Sequence, residues 1–226
     1  MIKNIILVVL FINYYVCAYG TAEMPSDLLE NNTEATAILD PTVSRLTTLL
    51  NNINVMRANF TQVINNKNGV NLQEQSGVMQ LKKPNLLRWQ ILTPDQMLIV
   101  TDGNKIWQYD VDLAQVIIKN FTQEITDTKI SKLLLGDVSK MLINFNINIL
   151  DNSDFLCFEL INKNIQQDDS FVKAQLGFNE KQQLIMVKLY DQLDQETEFL
   201  FNDIKNSVDS NAFKFVMPQD VDVIED

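Results

Sequence analysis

The chain has 226 residues, 46% hydrophobic and 21% charged, an ordinary globular balance that excludes a wholly disordered polypeptide. Its 18 basic residues against 29 acidic ones leave a formal charge of −11, the wrong sign for a protein that coats phosphates, so nucleic acid is not an expected partner. Histidine is absent, which removes the commonest general base and the commonest metal ligand together. We therefore expect no enzyme, no cofactor and no metal.

Lys3, the unbroken apolar run Ile5 to Ile12 and the small-residue site at Val16-Cys17-Ala18 read as a secretory signal over residues 1–20, cut after Ala18 or Gly20. The run is too short to span a bilayer, which needs about 20 residues. Tyr15 and Val16 are poor company for a lipidated Cys17, so cleavage should leave Cys157 alone and the exported protein without an internal disulfide. Residues 21–40 carry Glu23, Asp27, Glu30, Glu34 and Asp40 with no basic residue, and read as an acidic leader, either solvated and flexible or a frayed helix. Residues 41–226 hold no internal repeat and no Pro- or Gly-rich linker, which points to a single domain.

Asp40-Pro41 is a helix start. Val43, Leu46, Leu49, Leu50, Ile53, Met56 and Phe60 then recur at three- and four-residue steps, predicting one amphipathic helix of about five turns. From Gly77 the period changes to two. Met79 and Leu81 oppose Gln80 and Lys82, while Leu87, Trp89 and Ile91 oppose Arg88 and Gln90, with proline turns at Pro84 and Pro94 between strands. Gln96 to Thr101, Lys105 to Asp110 and Gln115 to Phe121 extend the meander, the first two joined by an Asp102-Gly103-Asn104 hairpin turn. Ile125 to Leu135 suits a short helix stopped by Gly136. Strands then follow at Ile143 to Ile149, Phe155 to Ile161, Val172 to Phe178, Leu184 to Tyr190, Thr197 to Ile204 and Phe213 to Val216.

The expected fold is therefore mainly β, an α+β domain with an antiparallel sheet of roughly ten or eleven strands that must curl, covered by a long N-terminal helix and a short central one. Its inward apolar side chains either fill the interior or line a space for an apolar guest; the pattern by itself favours a filled barrel. Asp168-Asp169 and the group Asp191, Asp194, Glu196, Glu198 read as solvated loops, lacking the spacing of a calcium site. Cys157, inside an apolar strand, reads as a buried small hydrophobe.

Three stretches carry a family resemblance. The helix ending Ala58-Asn59-Phe60-Thr61-Gln62, the strand pair from Gly77 to Trp89 and the hairpin from Val100 to Asp110 resemble, in order and spacing from about Arg45 to Gln115, the outer-membrane lipoprotein carrier family LolA. Beyond Phe121 only the strand pattern and the ending Phe213 to Pro218 are similar. The resemblance implies an incomplete, strongly curved antiparallel barrel closed by helices, whose apolar cavity takes the acyl chains of lipoproteins. It implies a monomeric periplasmic chaperone, loaded by an inner-membrane ABC transporter of the LolCDE type and emptied onto a LolB-type outer-membrane acceptor.

It also implies that a basic residue before the Pro-Asn turn latches the closing helix. Here that residue is Lys83, where the family usually has arginine, and Leu87 replaces a family aromatic. Lysine offers a point charge without the planar fork, so the latch should be weaker. Leu50, Ile53 and Met56 are candidate lid residues on the helix stripe, with plain core as the alternative. Leu87, Trp89, Met97, Ile99, Trp107 and Tyr109 are candidates for the cavity wall, and the 8 methionines suit an adaptable one. The rival readings are a LolB-like acceptor anchored through Cys17 and a sensor or interaction module with a filled interior.

Overall fold

The computed structural model describes residues 40–121, 134–135, 138–151, 154–164 and 171–225. The expected signal segment, the leader up to residue 39, all but Leu134 and Leu135 of the expected central helix, and the Asp168-Asp169 loop lie outside the described residues.

Helix α1 spans Pro41–Asn51. The Asp40 carboxylate accepts the Thr42 amide at 2.8 Å and Pro41 sits in the first turn, where its missing N–H costs nothing. The helix is three turns rather than the expected five. It stops at Asn51-Asn52, and β1 begins at Val55 and runs to Asn65. Met56, Ala58 and Phe60 are buried at every second position while Arg57, Asn59 and Thr61 are less so. A four-residue step, Met56 to Phe60, fits both one helical turn and two strand alternations, and this double fit extends the apparent helical stripe into a strand.

The remaining strands are β2 (Asn71–Lys82), β3 (Leu86–Thr93), β4 (Met97–Asp102), β5 (Lys105–Asp110), β6 (Gln115–Asn120), β7 (Phe145–Leu150), β8 (Leu156–Asn162), β9 (Lys173–Phe178), β10 (Leu184–Tyr190), β11 (Glu196–Lys205) and β12 (Asp222–Glu225), with a short helix α2 (Val138–Leu142) before β7. They form one open sheet of 12 strands in the order β12-β6-β5-β4-β3-β2-β1-β11-β10-β9-β8-β7. Every pairing is antiparallel except β12 with β6. The ends of the sheet are β12 and β7, and among the described residues no ladder joins them into a barrel.

Neighbouring strands lie about 4.8 Å apart, so in a flat sheet β3 and β11, with β2 and β1 between them, would be about 14 Å apart. Yet Trp89 on β3 meets Phe199 on β11 edge-on, ring centroids 5.8 Å apart, and meets Phe60 on β1 at 4.2 Å. The sheet is bent sharply enough for inward side chains to reach across their neighbours. Alternating residues of β1–β3 and β7–β11 all point into this concave side, where they form one buried cluster with Leu46, Leu49 and Leu50 of α1 and Val138 and Leu142 of α2.

The expected strand Phe213 to Val216 is not one. An aspartate turn at Asp209, accepting the Asn211 amide at 2.8 Å, precedes it, Phe213 is buried, and Phe215 stacks on Trp107. The alternation there reflects packing against the sheet's outer face rather than ladder pairing. The true last strand, β12, has no signature in the sequence because its residues are all exposed and carry no apolar period.

Gly77 is required by a close approach. A register shift between Ser76 and Gly77 brings the Gln90 carbonyl onto the position a Cβ would take. Gly77→Ala should therefore lower stability by about 1–3 kcal/mol in urea unfolding monitored by tryptophan fluorescence. An unchanged midpoint would mean that the bulge relaxes freely.

Candidate functional site

The concave face and the helix lying on it make the candidate site. Helix α1 contributes three leucines, Leu46, Leu49 and Leu50, at 0%, 5% and 1% exposure, and at about 1.5–3 kcal/mol each their burial is what seats the helix. At the carboxyl end of α1, where the last carbonyls lack helical partners, the Lys83 Nζ donates to the Leu50 carbonyl oxygen at 3.0 Å. The Lys83 backbone amide also donates to the Asn54 carbonyl at 2.8 Å, so one residue at the end of β2 holds both the last turn of the helix and the link to β1. As a single charge-assisted bond on a half-buried amine, this contact is worth no more than about 1.5–3 kcal/mol, less than the leucine seat.

The expected site residues divide by location. Leu50 is buried on α1. Ile53 and Met56 are not on the helix: Ile53 is in the connecting turn and Met56 is buried on β1. Both line a pocket of about 150 Å³ that opens to solvent beside the end of α1. Leu87 and Trp89 point to the concave side of β3, and Met97 and Ile99 pack against the same cluster, Trp89 pairing with Ile99 and Ile91 with Met97.

Trp107 and Tyr109 belong elsewhere. Directly paired residues share a face, and Ile99 pairs with Gln108, which puts Trp107 and Tyr109 on the convex side opposite Val100 and Leu98. There Phe215 stacks on Trp107, ring centroids 5.8 Å apart, while the Arg88 guanidinium donates to the Ala212 carbonyl at 3.4 Å. Phe60 and Phe199, which flank Trp89, are wall residues that sequence reasoning does not reach: the helical period claims Phe60, and nothing in the order of residues brings β11 beside β1.

Residues 51–216 match the family model of the outer membrane lipoprotein carrier protein LolA. Among the relatives are outer-membrane lipoprotein carrier proteins of Pseudomonas paraeruginosa, 36% identical over 186 residues, 81% of this chain and 88% of the relative, and of Hahella chejuensis, 34% identical with the same coverage. This chain belongs to the LolA family. The fold also matches a solved structure, an uncharacterized conserved protein from Thermus thermophilus, at TM-score 0.55 and 12% identity over 81% of this chain and 98% of that one.

Within this LolA-family domain several other polar groups have structural partners. Lys188 bridges Glu198 at 3.1 Å and Glu196 at 3.5 Å, and Asp191 accepts the Leu193 and Gln195 amides at 2.9 Å in a tight turn. Burial, then the nearby Glu159, push the Cys157 thiol up from its ordinary value, away from the thiolate a nucleophile needs. Among the described residues no helix is long and apolar enough to cross a membrane.

Burial also lowers the Lys83 pKa below 10.5. The folded protein thus carries a desolvation cost while the amine is charged, and that cost is relieved as pH rises through the lowered midpoint. Over the same range the donor to Leu50 loses its charge and its extra strength. A 13Cε-lysine NMR titration should place the Lys83 midpoint below 10.5. A midpoint at or above that value would mean that the amine is not held in this half-buried position.

Proposed function

We propose that the chain is a periplasmic, monomeric lipoprotein carrier that shelters acyl chains between α1 and the concave sheet. It takes cargo from an inner-membrane ABC transporter of the LolCDE type and passes it to a LolB-type outer-membrane acceptor, with no covalent step. The family membership and the names of its relatives support the carrier role. The observation that carries the mechanism is the apolar helix lying on a concave apolar face, tied at its end by one ammonium-carbonyl bond.

The magnitudes suit reversible use. Three buried leucines hold α1 with about 5–9 kcal/mol. Exposing an acyl chain to water costs about 0.8 kcal/mol per methylene, so a chain of about a dozen methylenes offers about 10 kcal/mol for the same apolar face. Cargo can therefore displace the helix, and the helix can cover the face again after cargo leaves. The pocket at the end of α1 would hold a guest of about benzene size, so an acyl chain enters only by moving leucines off the sheet. Lys83 then biases the closed state, and as lysine it does so through one bond instead of a fork.

The test is co-expression with an acylated lipoprotein, followed by purification without detergent. The wild-type chain should yield a soluble complex, and failure to form one counts against the carrier role. Lys83→Leu removes the bond to Leu50 and should slow handover to an acceptor by about tenfold while leaving capture nearly unchanged. Equal loss of capture and release, or no effect on either, would discard the latch.

A further inference from the structure

The pocket beside α1 shares Leu49 with the leucine seat and adds a set of polar groups that neither the seat nor the latch uses. Its floor is Leu49, Met56 and Leu184, members of the buried cluster, together with Ile53 and Ile204, which pack against that cluster. Here the core of the concave face meets solvent. Its rim is Asn52, Lys181, Gln182, Gln183 and Asn206, of which Asn52, Lys181, Gln182 and Asn206 are exposed. Among the described residues no carboxylate lines the pocket, in a chain whose acidic residues outnumber its basic ones by 29 to 18.

Four amide side chains and one ammonium offer donors above an apolar floor. That arrangement fits a guest whose polar part is uncharged and rich in carbonyl acceptors and whose other part is hydrocarbon. The position fits as well. Asn52 and Ile53 directly follow α1, and Leu49 lies one residue before the carbonyl held by Lys83, so release of that bond would loosen one wall of the pocket.

Resting on the carrier reading, we infer that this pocket is the port of the carrier: the glyceryl-ester and cysteinyl-amide head of the cargo sits on the amide rim while its acyl chains pass over Ile53 and Met56 into the core. The port is a selectivity element distinct from the apolar interior. It reads ester and amide carbonyls, and the interior reads only hydrocarbon.

The probe is a synthetic dipalmitoylglyceryl-cysteinyl pentapeptide, with the dye N-phenyl-1-naphthylamine reporting on the interior. The double substitution Gln182→Glu and Asn206→Asp replaces two exposed amides by acceptor-only carboxylates at the rim and should leave folding intact. It should weaken lipopeptide binding by about tenfold and leave dye binding unchanged. Photo-crosslinking from p-benzoylphenylalanine at Gln182 or Asn206 should capture the lipopeptide, whereas the same group at the exposed Leu113, on the turn between β5 and β6, should not. Lipopeptide binding at wild-type strength in the double variant, or equal crosslinking from all three positions, would overturn the port while leaving the carrier standing. Absence of lipopeptide binding by the wild-type chain would overturn both.

Discussion

A sheet bent until side chains two strands removed touch cannot leave its concave face open to water. The contacts of Trp89 with Phe60 and Phe199 record that bend, and they place three large rings in the hollow side of the sheet. At about 25 cal/mol per Å² of apolar surface, such a face demands a cover. Helix α1 supplies part of it with Leu46, Leu49 and Leu50. A cover made of apolar burial is also replaceable by any other hydrocarbon of similar area, and this exchangeability links the fold to carriage.

The tether is of a different kind. Burial sets where α1 sits, and it would do so with or without Lys83. The ammonium bond to the Leu50 carbonyl, which also accepts the Ile53 amide at 3.2 Å, adds direction at one end of the helix. Its strength is a fraction of the leucine seat, so on the proposed carrier mechanism it would tune the balance of closed and open states rather than create the closed one. The same corner of the molecule holds the pocket with amide groups above an apolar floor, so the tether and the proposed port lie together around the junction of α1 and β1.

Much of this was legible in the sequence because the strands alternate cleanly. Met79 and Leu81, Leu87 to Ile91, and Phe145 and Ile147 all face the side their period assigns. Lys83 stands out through the family resemblance, and its partner is on the helix end. Three things were not legible. The end of α1 was hidden because Met56 and Phe60 satisfy both periods. The inward face of β5 could not be derived from Trp107 and Tyr109 alone, because register follows from pairing: Gln108, not either aromatic, opposes Ile99. The amide rim draws on the α1–β1 turn, the β9–β10 hairpin and the end of β11, which only the strand order brings together.

The central claim is that α1 is a displaceable cover. Spin labels on the exposed residues Arg45 of α1 and Glu74 of β2, with their separation measured by pulsed EPR with and without a dipalmitoylated lipopeptide, test it most directly. The account predicts a longer and broader distance distribution once cargo is bound. An unchanged separation in a complex proven to contain the lipopeptide would contradict it.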